Sequence, residues 1–150
     1  GGEIILTGSV DTIKWNVSSN ISLVRIDYSS DNGANWNLIK NNEAASSGKY
    51  LWTVSSQTVT PGNAFLIRVS DALSNFTISD VSDNQFAVNG IRLVTPNGGE
   101  QYQVGSIQKI QWSATGNISK VRLEYSIDGI VWNSIQNNLI ASTGFYNWVI

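Results

Sequence analysis

The 150-residue chain contains no cysteine, no histidine and no methionine. Without cysteine there is no disulfide, no thiolate nucleophile and no Cys-ligated zinc. Without histidine the chain lacks the commonest general base near neutral pH and the commonest metal ligand. Any catalysis is left to carboxylates, lysine or tyrosine. No apolar run of roughly 18 residues is present, so no helical membrane span and no membrane insertion are expected, and no charged segment followed by an apolar core marks a signal peptide. With no initiator methionine, the expectation is a mature or excised piece of something longer. Charge is sparse as well: 9 Lys and Arg against 11 Asp and Glu give a net charge of −2. These charges are scattered, and nucleic acid, whose phosphates need a basic stripe, is not an expected partner.

What is present is a repeat. "GGEIILTGSVDTIKWNVSSNISLVRIDYSSDNGANWNLIKNN" from Gly1 aligns with "GGEQYQVGSIQKIQWSATGNISKVRLEYSIDGIVWNSIQNN" from Gly98, an offset of 97. The offset falls to 96 after "SSDNGANW", Ser29 to Trp36, because its counterpart "SIDGIVW", Ser126 to Trp132, is one residue shorter. "ASSGKYLWTV" and "ASTGFYNWVI" then stay in step, so that Trp15, Trp36 and Trp52 coincide with Trp112, Trp132 and Trp148. The segment "SSQTVTPGNAFLIRVSDALSNFTISDVSDNQFAVNG" follows the first copy alone, and "IRLVTPN" precedes the second alone. The chain therefore reads as cut out of register with its own repeat.

Apolar residues recur with period two. Ile13, Trp15 and Val17 alternate with Thr12, Lys14 and Asn16, and Val24, Ile26 and Tyr28 alternate with Arg25 and Asp27. The second copy repeats the pattern through Ile110, Trp112, Val121, Leu123 and Tyr125. This predicts antiparallel strands with one apolar and one wet face, further strands at 50–54, 65–69 and 86–88, and almost no helix. About seven short strands per ~97 residues is the spacing of an Ig-like or fibronectin-type sandwich rather than of propeller blades, which repeat every ~40 to 50 residues. The expected fold is all-β: tandem Ig-like/fibronectin-type antiparallel β-sandwiches, 1–89 without its first strand and 90–150 without its last strands.

The Ser-x-Asp box also occurs as a hairpin turn in sialidase blades, so it is either a fragment of an active site or a structural turn. Asp31 and Asp128 suit backbone N–H groups inside a turn, Gly33 and Gly129 suit a positive φ, and Trp36 and Trp132 suit a lid over the hairpin. Ser29 and Ser126 complete the box. A turn tolerates the one-residue difference between copies better than a tuned active site does, and the turn reading is preferred. Trp15, Trp52, Trp112 and Trp148 fall on the apolar phase and are expected in the core. Trp36 and Trp132, with Tyr102 or Phe145, are the candidates for stacking on sugar rings. Glu3 and Glu100 occupy matching turns, one per repeat, and do not form a hydrolytic pair. Asp71, Asp80 and Asp83 could gather round calcium, but Ser-Asp turns more commonly cap strands without metal. No catalytic residue, cofactor or metal ligand is therefore assigned. The sequons at Asn16, Asn20, Asn75 and Asn117 are compatible with a secreted protein.

"VTPNGGEQYQVGSIQKIQWSATGNISKVRLEYSIDGIVWNSI" resembles an extracellular Ig-like repeat that reads P-N-G-G-E, V-G-S, I-x-W and then E-Y-S-x-D-G-x-x-W. Such repeats are strung along secreted and surface proteins of bacteria and archaea. The string is also similar to the Ig-like domain of serine/threonine-rich, lipid-anchored fungal wall proteins. The resemblance implies a secreted or cell-surface setting and no catalytic residues. The chain departs from it at "EIILTGS", where the aromatic after "GGE" is missing. Two functions follow as expectations: a spacer, stalk or filament subunit whose partners are neighbouring repeats or copies of itself, paired by strand complementation; or an accessory module binding surface polysaccharide.

Overall fold

The computed structural model describes residues 1–18, 20–56 and 58–150. Within them every regular element is a β-strand except for two single 3-10 turns, Ala45–Ser47 and Ala141–Thr143. The chain divides into two compact units, Gly1–Asn89 and Gly90–Ile150, and the fold class is all-β, with Ig-like/fibronectin-type antiparallel sheets.

The first unit contains β1 (Ile4–Leu6), β2 (Val10–Lys14), β3 (Leu23–Ser29), β4 (Asn37–Ala44), β5 (Lys49–Thr53), β6 (Gly62–Asp71), β7 (Ser79–Val81) and the start of β8 (Phe86–Thr95). One sheet runs β4-β3-β6-β8, with β7 also on β6 and β1 added in parallel to β8; the other is β2-β5. Their inner faces supply a single core that includes Ile13, Val24, Ile26, Trp52, Phe65 and Val88. Tyr28 stacks on Trp52 with ring centroids 5.6 Å apart, and Phe65 meets Phe86 at 5.4 Å. Burial of each such side chain is worth about 1.5 to 3 kcal/mol.

The second unit begins in the rest of β8 and adds β9 (Ile107–Thr115), β10 (Lys120–Tyr125), β11 (Asn133–Ile140) and β12 (Phe145–Val149). β9 lies between β8 and β12, and β10 pairs with β11. Among the described residues nothing in this unit corresponds to β6. Its buried core is correspondingly small, formed by Ile110, Trp112, Val121 and Ala141.

The two copies agree in register as well as in sequence. Val24 faces Glu43, Ile26 faces Lys40 and Asp27 faces Leu38; Val121 faces Leu139, Leu123 faces Gln136 and Glu124 faces Ser134. Both hairpins break step at the same place, where Asn42 (φ 53°) and Asn138 (φ 57°) take the left-handed conformation that asparagine tolerates.

Each 3-10 turn carries the chain from one sheet to the other. The Ala45 N–H donates to Ser22 O at 3.0 Å, and its carbonyl accepts the Trp15 indole Nε1–H at 3.0 Å. In the second unit the Ala141 N–H donates to Ser119 O at 2.9 Å, and its carbonyl accepts Trp112 Nε1–H at 2.8 Å. Gly48 (φ 62°) and Gly144 (φ 72°) close the turns and pass their carbonyls to the backbone N–H of Trp15 and Trp112.

One expectation fails. The outer face of β3 is not wet: Asp27 is completely buried there, as are Ser29 and, on β6, Ser70. The reason is that Arg68, Phe76 and Trp36 cover this face with a second layer of side chains.

Because alanine pays roughly 1 to 2 kcal/mol for the left-handed region and asparagine pays less, Gly48→Ala and Gly144→Ala should each cost about that much stability, and Gly→Asn at the same positions should cost less. Urea unfolding followed by circular dichroism measures both.

Candidate functional site

The two turn boxes use their polar atoms internally. Ser29 Oγ donates to Asp31 Oδ1 at 2.8 Å and accepts the Gly33 N–H at 2.8 Å, and Asp31 accepts the Asn35 N–H at 2.8 Å and the Asn35 amide at 2.7 Å. In the shorter box Ser126 Oγ donates to Asp128 Oδ1 at 2.9 Å and accepts the Gly129 N–H at 2.8 Å. Asp128 Oδ1 then receives the N–H groups of Ile130 and Val131 at 2.8 and 2.9 Å. Gly33 (φ 88°) and Gly129 (φ 73°) supply the backbone twist. The Asn35 side chain, then the Asn35 N–H and the Ser29 hydroxyl, hold the Asp31 carboxyl below its usual value. The N–H groups of Val131 and Ile130, then the Ser126 hydroxyl, do the same for Asp128. Neither acid is poised to donate a proton at neutral pH.

From the first box a ladder of charge and aromatic rings runs across the outer face of β3 and β6. The Arg68 guanidinium lies 4.4 Å over the Trp36 ring and 4.6 Å over Phe76, and Arg25 lies 4.9 Å over Phe76. Beneath them the buried Asp27 carboxylate accepts from Arg25 Nη2 at 2.8 Å and from Arg68 Nη2 at 3.1 Å. Arginine suits this position because its planar head stacks and hydrogen-bonds at once. Trp36 is therefore half-buried, with one ring face already taken.

The second copy keeps part of this arrangement. Glu124 stands in place of Asp27 and pairs with Arg122 at 3.1 Å, but among the described residues no second arginine pairs with it. Trp132 is 58% exposed, beside exposed Ile130 and Val131. Of the other ring candidates, Tyr102 is half-buried, and Phe145 is exposed with Lys109 Nζ 4.5 Å over its ring.

Trp52 and Trp112 lie in the two cores, while Trp15 and Trp148 are half-buried against them. Neighbouring strands account for this asymmetry. Trp112 sits opposite Leu93 of β8, and among the described residues Trp15 has no such strand beside it; Trp52 meets the Phe86 ring at 6.5 Å as well as that of Tyr28, whereas the ring that Trp148 meets among the described residues is Tyr125, at 5.3 Å. A cleft of about 340 Å³ runs along 14–18, lined by Trp15, Val17 and Ile21, and one of about 240 Å³ runs beside Tyr125 and Trp148.

The possible calcium ligands Asp71, Asp80 and Asp83 do not gather. Among the described residues no group of three or more carboxylates could hold a metal ion, and Asp71 Oδ1 accepts the Leu73 N–H at 3.0 Å. Sequence reasoning missed Arg68, Phe76 and Asp27 as one unit. The available signal was an acid and an arginine on the outward phase of two strands that topology pairs.

Removing the acid from a buried ion pair strands its partners, so Asp27→Ala should cost about 3 to 5 kcal/mol, against less than about 1 kcal/mol for Arg25→Gln at the more exposed end. Urea unfolding separates the two. For the turn acids the folded pKa lies below the unfolded value of about 3.9, so their contribution is complete above that value and is lost as pH falls through the folded pKa. Asp31→Asn and Asp128→Asn should lower the melting temperature at pH 7, and the deficit should shrink as pH falls below about 4, as a calorimetric pH series would show.

No family model and no curated protein matches the chain. Among solved structures it is similar to one described as "Structures of Clostridium thermocellum CbhA fibronectin(III)-like modules", at 17% identity and a TM-score of 0.33, over 99% of this chain and 74% of that one. So low a score carries nothing about function, and the architecture stands on the strand pairing.

Proposed function

We propose that the chain is a non-enzymatic structural repeat of a secreted or cell-surface protein, acting as a spacer or as a subunit of an extracellular filament. The observation that carries this reading is where the repeated polar residues spend their hydrogen bonds. Ser29, Asp31, Ser126 and Asp128 close turns, and the Trp15 and Trp112 indoles hold backbone carbonyls. What the two copies share is thus a means of holding the fold. The cleft of about 240 Å³ lies along β10, which among the described residues pairs with β11 alone, and an edge with unmet N–H and C=O groups is a template for another strand. Neighbouring repeats, or copies of the chain, are the partners such an edge suits.

The alternative is an accessory module that binds surface polysaccharide. It is favoured by Trp132, the most exposed of the ring candidates in the turn boxes, because an open indole face stacks on sugars.

Light scattering with electron microscopy over a concentration series decides between these readings. Ordered growth with concentration is the expected outcome for a filament subunit. A monomer at every concentration leaves the spacer role and rejects pairing between copies. Saturable glycan binding that disappears in Trp132→Ala replaces the structural reading by the polysaccharide one.

A further inference from the structure

β3 carries a strand on both edges, β4 on one and β6 on the other. β10 carries β11 on one edge, and its other edge has no strand among the described residues. Beside that free edge lies the cleft of about 240 Å³, walled by Ile91, Leu93, Ile110, Leu123, Tyr125 and Trp148. We infer that this edge accepts one extended β-strand that turns apolar side chains into the cleft and a single arginine onto the opposite face. This inference deepens the structural-repeat reading and rests on it.

The first unit identifies the occupant. β3 and β10 occupy matching places in the repeat and share its hairpin register, with Asp27 answering to Glu124, Tyr28 to Tyr125 and Trp36 to Trp132. On β3 the seated strand is β6, in the register Ile26 to Val69, Asp27 to Arg68 and Tyr28 to Ile67. Phe65, Ile67 and Val69 join the core, while Arg68 points the other way, onto Asp27 and over the Trp36 ring. The second unit holds the receiving half of this contact, with Arg122 in the place of Arg25 and, among the described residues, no counterpart of Arg68. Trp132 is 58% exposed, and among the described residues no cation stacks on it. The Glu124 side chain is 27% exposed and, among the described residues, its ion pair is with Arg122, which is itself 64% exposed. An acid and an indole placed to take one guanidinium complement a cation, and the apolar cleft behind them complements alternate apolar residues. A strand in the β6 register would set its arginine opposite Glu124 and its apolar residues opposite Leu123 and Tyr125.

The probe is a synthetic peptide of residues 62–71, GNAFLIRVSD, titrated into the whole chain and followed by calorimetry and tryptophan fluorescence. Binding should saturate at one peptide per chain. Arg68→Gln in the peptide should weaken it roughly tenfold, since the stacked, ion-paired head is lost. Trp132→Ala in the chain, a change at an exposed side chain, should narrow the difference between the two peptides, as a double-mutant cycle reads directly. Circular dichroism checks that this variant is folded. Equal binding of the arginine and glutamine peptides, or no saturation, overturns the inference. Running the glycan titration alongside separates the two failures. If peptide and glycans are both silent, the acceptor edge is wrong and the structural repeat stands; a glycan that binds at Trp132 and is not displaced by peptide removes the structural reading itself.

Discussion

Each unit depends on how its chain crosses from one sheet to the other. At that crossing backbone groups are pulled into the interior, and a buried carbonyl without a donor costs about 1 to 3 kcal/mol. Ala45 is nearly fully buried and has both of its polar groups met, its N–H by Ser22 and its carbonyl by the Trp15 indole. One bond goes to the chain entering β3 and the other to the residue after β2, so this single residue ties both sheets together. Ala141, Ser119 and Trp112 repeat the device with the same atoms. This explains why tryptophan, and not another large apolar residue, stands at both positions: phenylalanine would fill the space and leave the carbonyl orphaned.

The two units also act as controls for each other. They share a sandwich corner, a hairpin with matched bulges and a Ser-x-Asp turn, and they differ in which further strands lie beside them. Trp112 is buried where β8 pairs with β9, and Trp15, without such a neighbour, is not. Trp52 is buried where Phe86 meets it, and Trp148 is not. The corner and the hairpin are in place in both units, so the local sequence and the indole lock suffice for them. Extra strands enlarge the core without changing the register of what they cover.

Much of this was legible in the sequence, and the rest was hidden for a definable reason. The repeat, the phase of Val24, Ile26 and Tyr28, and the turn function of Asp31 follow from spacing and residue chemistry, which are local. β4 was harder to read because its bulge at Asn42 breaks the two-residue period that marks a strand. Asp27 was misread as solvated because period two reports which side of a sheet a residue faces, not what lies above that side. Its burial depends on Arg68, 41 positions later, and on Phe76, in the loop between β6 and β7. No short window along the chain contains the acid together with Arg68 and Phe76.

That buried acid has a job that apolar packing cannot do. Along β3 the inward residues are all apolar, and a strand patterned like β6 would satisfy them equally well if it slid by two residues, because the period of two is preserved. The outward face breaks this degeneracy. A slide of two places Leu66 or Ser70 of β6 opposite Asp27 instead of Arg68, leaving the desolvated carboxylate with Arg25 as its one cation among the described residues. Loss of one of the two cations that hold a buried carboxylate is a penalty that the apolar face does not register. Asp27 and Arg68 therefore favour the observed register over its neighbours two residues away, even if the pair adds little net stability after desolvation. On β10 the charged residues Lys120, Arg122 and Glu124 line the outward phase of a strand that has one partner, β11, among the described residues, and charge there discourages indiscriminate pairing. The same carboxylate that repels a purely apolar strand rewards one with an arginine in the right place, so one residue both guards the edge and selects what may sit on it.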